Sequence, residues 1–466
     1  MKSWNEECAV VGVYNVNNAS LLSYYSLFAM QHRGQEASGI AASNGSKITT
    51  IKSTGLVTKI FTQDRLDKLQ GRSSIGHNRY STAGEDSIND AQPIFARYDL
   101  GEMAIAHNGN LTNAKQVREA LIKEGAIFQS HLDTENLIHL IARSQKQSLT
   151  DRIIDALEQV DGAYCFIFLS RTKMFAIRDR YGLRPLSLGR IKNEDGSTGY
   201  VVASESCAFD LIGAEFVRDV EAGEMLIFDG AYSLQDSQPK SIQVFKPKPH
   251  PCVFEYVYFA RPDSNVFSRN VYEARKQMGI ELAKEHRIKA DMVIPVPDSG
   301  VAAAIGYSRE SGIDFELGII RNHYVGRTFI EPTQQLRELK VRLKLNPIKE
   351  LIAGRDIIVI DDSVVRGTTS KQIIRILRQA GARAIHLLIS SPPTISPCYY
   401  GVDTPDKDQL ICANKSIEEV RKYIGADSLG FLSIAGLERA IMSEGQSVCK
   451  ACFDGIYIDD FITGKA

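Results

Sequence analysis

Residues 357–370 read IIVIDDSVVRGTTS, and this stretch restricts the fold of the chain more tightly than any other. Its opening run of β-branched residues has no polar alternation, so it predicts a strand buried on both faces, as in a parallel sheet. Two aspartates end the strand, and a helix is predicted over 367–380. Ligands of open parallel sheets bind beyond the carboxyl ends of the strands. There, Gly367, Thr368 and Thr369 would gather backbone N–H groups, two hydroxyls and a helix N-terminus at one point, which suits a phosphate. Asp361 and Asp362 would repel that phosphate if they faced it. They are expected instead to accept hydrogen bonds from sugar hydroxyls, or to hold a Mg²⁺ that bridges to a second phosphate. An isolated Asp-Asp is ordinarily a solvated strand end; only the whole strand–DD–xxx–RGTT–helix pattern carries this reading.

The surroundings agree with a parallel α/β sheet. A helix is predicted over 271–286, then the apolar strand DMVIPV, a helix beginning near Val301, and the strand AIHLLIS after the 367–380 helix. The first half has a different rhythm. Short strand-like runs (AVVGVY, EMAIAH, YCFIFL, KMFAIR, YVVAS, EMLIFD) are separated by Gly, Asn and Asp, with helical stretches at 113–124, 133–144 and 151–159. That composition predicts antiparallel sheets with helices packed on them. Between the halves lies SLQDSQPKSIQVFKPKPHP, ending at Pro251, whose interleaved prolines read as a linker. The halves are divided at 8–238 and 239–466.

At 466 residues, with 44% apolar and 24% charged side chains and a net charge of −1, the chain has no global electrostatic reason to bind nucleic acid or an anionic membrane. No apolar run is long enough to span a bilayer. MKSWNEE lacks the apolar core of a secretory signal. A cytosolic location is expected, where cysteines are reduced, catalytic or metal-bound rather than paired in disulfides.

The first half contains four short motifs: MQHRGQEASGI at 30–40, GHNRYSTAG at 76–84, AHNGNLTN at 106–113 and HLDTE at 131–135. Each alone is weak. Together with Cys8 they supply the parts for hydrolysing an amino-acid amide: a thiol nucleophile, a cation for the α-carboxylate, an acid for the α-ammonium, and N–H donors for an oxyanion. No papain-type signature surrounds Cys8 and no histidine is dedicated to it. An α-amino group titrates near neutral pH and can serve as the base, provided that Cys8 is the first residue of the mature chain. Residues 1–7 are therefore expected to be a cleaved propeptide.

The 357–370 segment resembles the 5-phosphoribosyl-1-pyrophosphate (PRPP) motif of type I phosphoribosyltransferases. The resemblance implies that Asp361 and Asp362 bind the ribose hydroxyls and that Ser363, Arg366, Gly367, Thr368 and Thr369 cradle the 5-phosphate. VIPVPDSG, with Ser299 at its apex, is similar to the family's pyrophosphate-binding turn; Ser299 joins the two aspartates as the expected Mg²⁺ site. The segment from Arg321 to Asn346, with Arg321 and Arg327 foremost and Arg337, Lys340, Arg342 and Lys344 behind, occupies the place of a hood that closes over PRPP. The first-half motifs resemble the glutaminase domain of N-terminal-nucleophile amidotransferases. By that resemblance Cys8 is the nucleophile, Arg79 pairs with the glutamine carboxylate, Asn108 and Gly109 form the oxyanion hole, and Asp133 holds the amine. The two halves together resemble the glutamine PRPP amidotransferases. The implied architecture is an α+β glutaminase (αββα sandwich) joined to an α/β phosphoribosyltransferase domain. The implied reaction makes 5-phosphoribosylamine in the first step of de novo purine synthesis. Homotetramers and feedback inhibition by purine nucleotides are expected from the same resemblance.

Two alternatives follow from the residues. Phosphoribosyltransferase domains also serve as PRPP sensors in repressors, but no helix-turn-helix or basic DNA-facing segment is present. An enzyme using ammonia alone, with an inert glutaminase half, differs only in whether Cys8 functions.

Eight cysteines fall at 8, 165, 207, 252, 398, 412, 449 and 452. Cys449-x-x-Cys452 is the sole tight pair, and Cys252 and Cys398 each follow a proline. A Cys₄ set fits a [4Fe–4S] cluster or a structural zinc ion equally. The resemblance extends to a propeptide-bearing subgroup with a [4Fe–4S] cluster on four such cysteines, which favours the cluster. Cys165, Cys207 and Cys412 are read as core thiols.

Overall fold

A computed structural model describes residues 8–80, 88–230, 238–322, 345–402, 404, 406–442, 445–458 and 462. Residues 1–7 and Arg327, with most of the expected hood, lie outside the described residues.

The first half is built on two antiparallel sheets. In the seven-stranded sheet the order is Glu215–Asp219, Ser187–Lys192, Thr198–Ala203, Cys8–Tyr14, Ser73–Arg79, Ala37–Ser43, Ile48–Thr54. In the six-stranded sheet it is Lys240–Gln243, Glu224–Phe228, Met174–Arg178, Gly162–Ser170, Gly101–Leu111, Ile94–Tyr98. Side chains alternate across each strand, and the alternation assigns the layers. Val10, Ala41 and Ile75 of one sheet pack against Ala104, Ala106 and Ile167 of the other. Ala9, Val11 and Val13 point the opposite way, onto Leu27 of helix Ala19–Ala29. Ile105, Phe166 and Phe168 likewise cover helices Thr134–Arg143 and Leu149–Leu157. The result is the expected αββα sandwich.

The second half carries a four-stranded parallel sheet in the order Met292–Pro295, Asp356–Asp361, Ala384–Ile389, Ser428–Phe431. Ile358 and Ile360 face helices Val271–Glu285 and Val301–Ser311. Ile357 and Val359 face Thr368–Gln379 and Ile417–Ile424 on the other side. Burial on both faces explains the unbroken IIVI run.

The linker reading of 233–251 needs correction from 238 onward; residues 233–237 lie outside the described residues. Lys240–Gln243 is an edge strand of the six-stranded sheet, paired with Glu224–Ile227. Beyond it the amides of Lys248, His250 and Cys252 donate to the carbonyls of Arg180, Tyr181 and Leu183 at 2.7–3.1 Å. Pro247, Pro249 and Pro251 occupy the intervening positions, which face away and need no donor. Edge pairing uses one side of a strand only, and period-2 prolines satisfy it. The segment belongs to the first half up to Pro251, so a boundary at 238/239 falls ahead of a strand that the first sheet claims.

Candidate functional site

Cys8 is the first residue of a central strand and is fully buried. In the antiparallel register Cys8 stands opposite Arg79 on the neighbouring strand. The Nε of Arg79 is buried with no hydrogen-bond partner, a donor held open at the position expected to meet a carboxylate. Asn108 reaches the same end of the sandwich from the facing sheet. Its Nδ2 lies 3.4 Å from Ser204 Oγ, and that hydroxyl accepts from Val10 N at 3.0 Å. The Oδ1 of Asn108 is buried without a partner. Gly109 has φ 145°, and a Cβ there would stand 2.1 Å from the carbonyl oxygen of Ala163. Only glycine fits, and its conformation turns the local backbone at the expected oxyanion position.

Asp133 precedes helix Thr134–Arg143. Its Oδ2 accepts from Leu111 N at 2.8 Å, and its Oδ1 lies 3.3 Å from His107 Nδ1. Burial pushes the Asp133 carboxyl up, but His107 and the amides of Leu111 and Thr134 outweigh burial and hold it below the usual carboxylate range. His107 stacks on Phe166 and its carbonyl lies 3.0 Å from His77 Nε2. His77, His107 and Asp133 thus form one connected chain, and Arg79 and Asn108 follow His77 and His107 on their strands by two residues and one residue.

The second group of residues lines a cavity of about 690 Å³ at the carboxyl end of the parallel sheet. Asp361, Asp362, Ser363, Arg366, Gly367, Thr368, Thr369, Ser299 and Arg321 all face it. Gly367 caps helix Thr368–Gln379 with φ 70°, and both threonines are exposed at its first turn. Arg321 Nη1 donates to Asp298 Oδ2 at 2.6 Å, and Arg366 Nε to Gln409 Oε1 at 3.1 Å. Asp361 Oδ1 accepts from Asp362 N at 3.0 Å, and Ser363 Oγ donates to Asp362 Oδ1 at 2.5 Å. Burial, then the neighbouring Asp362, raises the Asp361 carboxyl well above its ordinary range. Burial also raises Asp362, partly offset by hydrogen bonds from Ser299 and Ser363 and by the charge of Arg275. A buried acid pair held in this state gains when a cation or a pair of sugar hydroxyls arrives. Among the described residues no group of three or more His, Cys, Asp or Glu is arranged to hold a metal ion. Mg²⁺ ordinarily takes one or two carboxylates and completes its shell from substrate phosphates and water, and the Asp361–Asp362–Ser299 set fits that pattern.

His32, Arg33 and Tyr80 of the first half also line this cavity, which the sequence did not reveal. Arg33 is 3% exposed and reaches both sites. Its Nε donates to the carbonyl of Cys8 at 3.0 Å. Its Nη1 meets Glu205 at 2.6 Å and Glu255 at 2.9 Å, and its Nη2 meets Glu255 at 2.8 Å. His32 Nε2 lies 2.8 Å from Glu205, whose other oxygen accepts from Ser264 and the Arg261 amide. These partners outweigh burial and hold Glu205 far below the carboxylate range. Arg33 lies within the MQHRGQ motif, but nothing local marks its reach to the cavity or Glu205 and Glu255 as its partners.

Cys252, Cys398, Cys449 and Cys452 line one small cavity, together with Arg184 and Phe254. Three separate segments deliver them: Cys252 and Cys449 meet in an isolated parallel bridge, and Cys452 O accepts from Ile395 N and Ser396 N. Burial raises all four thiols, Cys252 to about 12. The four thiols form a sulfur donor set of the kind thiophilic centres take, with Tyr400 beside them in the lining; the absence of a group arranged to hold a single metal ion among the described residues applies to these cysteines too. Cys165 and Cys207 are buried and Cys412 is partly buried.

A glutamine amidotransferase domain family matches residues 77–210. The amidophosphoribosyltransferase of Rhizobium etli is 49% identical over 99% of this chain and 91% of its own length. That of Bacillus subtilis is 46% identical over 98% and 95%. Among solved structures, the glutamine PRPP amidotransferase of B. subtilis complexed with ADP and GMP superposes with a TM-score of 0.90 at 45% identity, covering 97% of this chain and 98% of that one. An allosteric regulatory enzyme of purine biosynthesis superposes at 0.92, with 45% identity and 98% of both chains covered. With both halves matched along nearly their whole length, the chain belongs to the amidophosphoribosyltransferase family.

Proposed function

We propose that Cys8 hydrolyses glutamine and that the ammonia so released attacks PRPP in the cavity above Asp361 and Asp362. The family's reaction converts glutamine, PRPP and water into glutamate, pyrophosphate and 5-phosphoribosylamine, and it opens de novo purine synthesis. The observation that carries the residue assignment is the shared wall: Arg33 lines the PRPP-sized cavity and donates to the carbonyl of Cys8.

In the first half-reaction the Cys8 thiolate attacks the side-chain carbonyl carbon of glutamine. Arg79 holds the substrate carboxylate and Asp133, ionised throughout, holds the ammonium. Asn108 and Gly109 receive the oxyanion. The α-amine of Cys8 takes the thiol proton and returns it to the departing ammonia. Water then hydrolyses the γ-glutamyl thioester to glutamate. This use of the amine requires removal of residues 1–7. In the second, Asp361 and Asp362 orient the ribose, the 363–369 loop binds the 5-phosphate, and Arg321 and Arg327 supply positive charge for the polyanion. Ammonia attacks C1 and pyrophosphate leaves. Asp361, Asp362 and Ser299 would hold a Mg²⁺ ion, which would supply charge neutralisation at the pyrophosphate.

Cys252, Cys398, Cys449 and Cys452 are proposed ligands of a [4Fe–4S] cluster. The four thiols line one cavity, and four cysteine sulfurs are the donor set such a cluster takes. No described helix is long and apolar enough to cross a membrane; a cytosolic homotetramer under purine-nucleotide feedback is proposed.

The deciding experiment is the Cys8→Ala variant assayed with two nitrogen sources. Lost glutamine-dependent activity with retained ammonia-dependent activity is expected, and unchanged glutamine use sinks the assignment. The intact mass of the active enzyme tests removal of residues 1–7.

A further inference from the structure

Arg184 is 1% exposed and stands in the wall of the four-cysteine cavity. None of its Nε, Nη1 and Nη2 atoms makes a hydrogen bond. Five N–H groups buried without a protein acceptor carry a free-energy cost, and a bound acceptor in the cavity would relieve it. Two neighbours address its charge in part. The guanidinium lies 5.4 Å from the centre of the Phe259 ring, and Nη1 is 3.3 Å from Glu255 Oε1 without hydrogen-bond geometry. Glu255 does not depend on it, because Arg33 already holds that carboxylate through two nitrogens at 2.8 and 2.9 Å. Arg184 therefore lines a cavity whose other polar side chains are the four cysteines and Tyr400, and the Tyr400 hydroxyl already accepts from Ile458 N at 3.1 Å.

Four thiolates outweigh the positive charge of the metal they bind, so a Cys₄ centre is anionic whether it is a cluster or a zinc ion. An anionic centre buried beside an arginine with unused N–H donors is a matched pair. We propose that Arg184 is the charge-balancing residue of the cysteine cavity: its guanidinium donates N–H···S hydrogen bonds to the metal–thiolate centre and holds it against loss. This rests on the four cysteines being ligands. Arg184 is a positioning residue and takes no part in either half-reaction.

The test uses the full chain purified without oxygen, as wild type, Arg184→Met and Arg184→Lys. Iron content, the reduction midpoint by protein-film voltammetry, and decay of the visible absorption in air are measured. Arg184→Met is expected to retain iron when prepared anaerobically, to shift the midpoint negative, and to bleach several-fold faster; Arg184→Lys falls between. A loaded Arg184→Met protein with the wild-type midpoint and decay overturns the proposal. A role confined to packing would leave the midpoint unmoved. Should Arg184→Met fail to fold, Arg184→Gln keeps donors, drops the charge and carries the same expected shifts. Stoichiometric zinc in the wild type refutes the cluster alone. Arg184 is then read from chelator-driven zinc release, expected several-fold faster in Arg184→Met, with equal rates overturning it. Active wild type without metal overturns both.

Discussion

Arg33→Met tests the buried charges that join the two sites. Methionine nearly preserves the volume, so the change removes charge and donors more than packing. Three charge-assisted contacts to Glu205 and Glu255, at 2.6, 2.8 and 2.9 Å, disappear with the 3.0 Å bond to the Cys8 carbonyl. Both carboxylates are fully buried. Glu205 retains His32 and Ser264, and Glu255 retains only the loose approach of Arg184. Breaking one partner out of a buried ion network costs about 3–5 kcal/mol. Spread over a domain of this size, that is a fall of about 6–20 °C in Tm. The assay is thermal unfolding followed by circular dichroism at pH 7.5. It includes the triple variant Arg33→Met, Glu205→Gln, Glu255→Gln. If uncompensated charge is the cause, the triple variant recovers much of the loss, because neutral carboxamides tolerate the site. A single variant within 2 °C of wild type, about 0.5–1 kcal/mol, refutes the reasoning. So does a triple variant no more stable than the single one.

Gly109→Ala forces a Cβ to 2.1 Å from a backbone oxygen at φ 145°; glutaminase turnover is expected to fall at least about 100-fold, with ammonia-dependent synthesis measured alongside as the control. Asp361→Asn should abolish synthesis yet raise the Tm of the ligand-free protein at pH 7.5. The raised carboxyl of Asp361 contributes stability below its unfolded value that is lost as pH rises through the folded one, and the amide removes that loss. Burial lowers His77 to about 3, so it contributes stability above its unfolded pKa near 6.5 that is lost as pH falls. Between pH 6.5 and 5 that loss is about 2 kcal/mol; His77→Gln should unfold with a correspondingly flatter acid dependence in urea titrations.

Much of this was legible because it is written locally. The IIVI run, the aspartate pair and the Gly-Thr-Thr helix start belong to one continuous segment, and nine of the residues expected at PRPP line a single cavity. The period-2 prolines at 247, 249 and 251 were misread because proline's missing donor looks the same in a linker and on a sheet edge; only the partner strand distinguishes them. Glu205, Glu255 and Arg184 were invisible for a related reason. Each is an ordinary charged residue in sequence, and its meaning comes from partners more than 50 residues away, a distance over which no local pattern operates.

The Arg33–Glu205–Glu255–Arg184 foursome also bears on modularity. Arg33, Arg184 and Glu205 come from the glutaminase half and Glu255 from the phosphoribosyltransferase half, all of them buried. Severed between the halves, the foursome would leave a net positive charge in one piece and a negative one in the other. A glutaminase half grafted onto another synthase would meet the same imbalance unless an acid waited at the seam. The two halves of this chain are therefore expected to be inherited, and to be exchangeable, only as a pair.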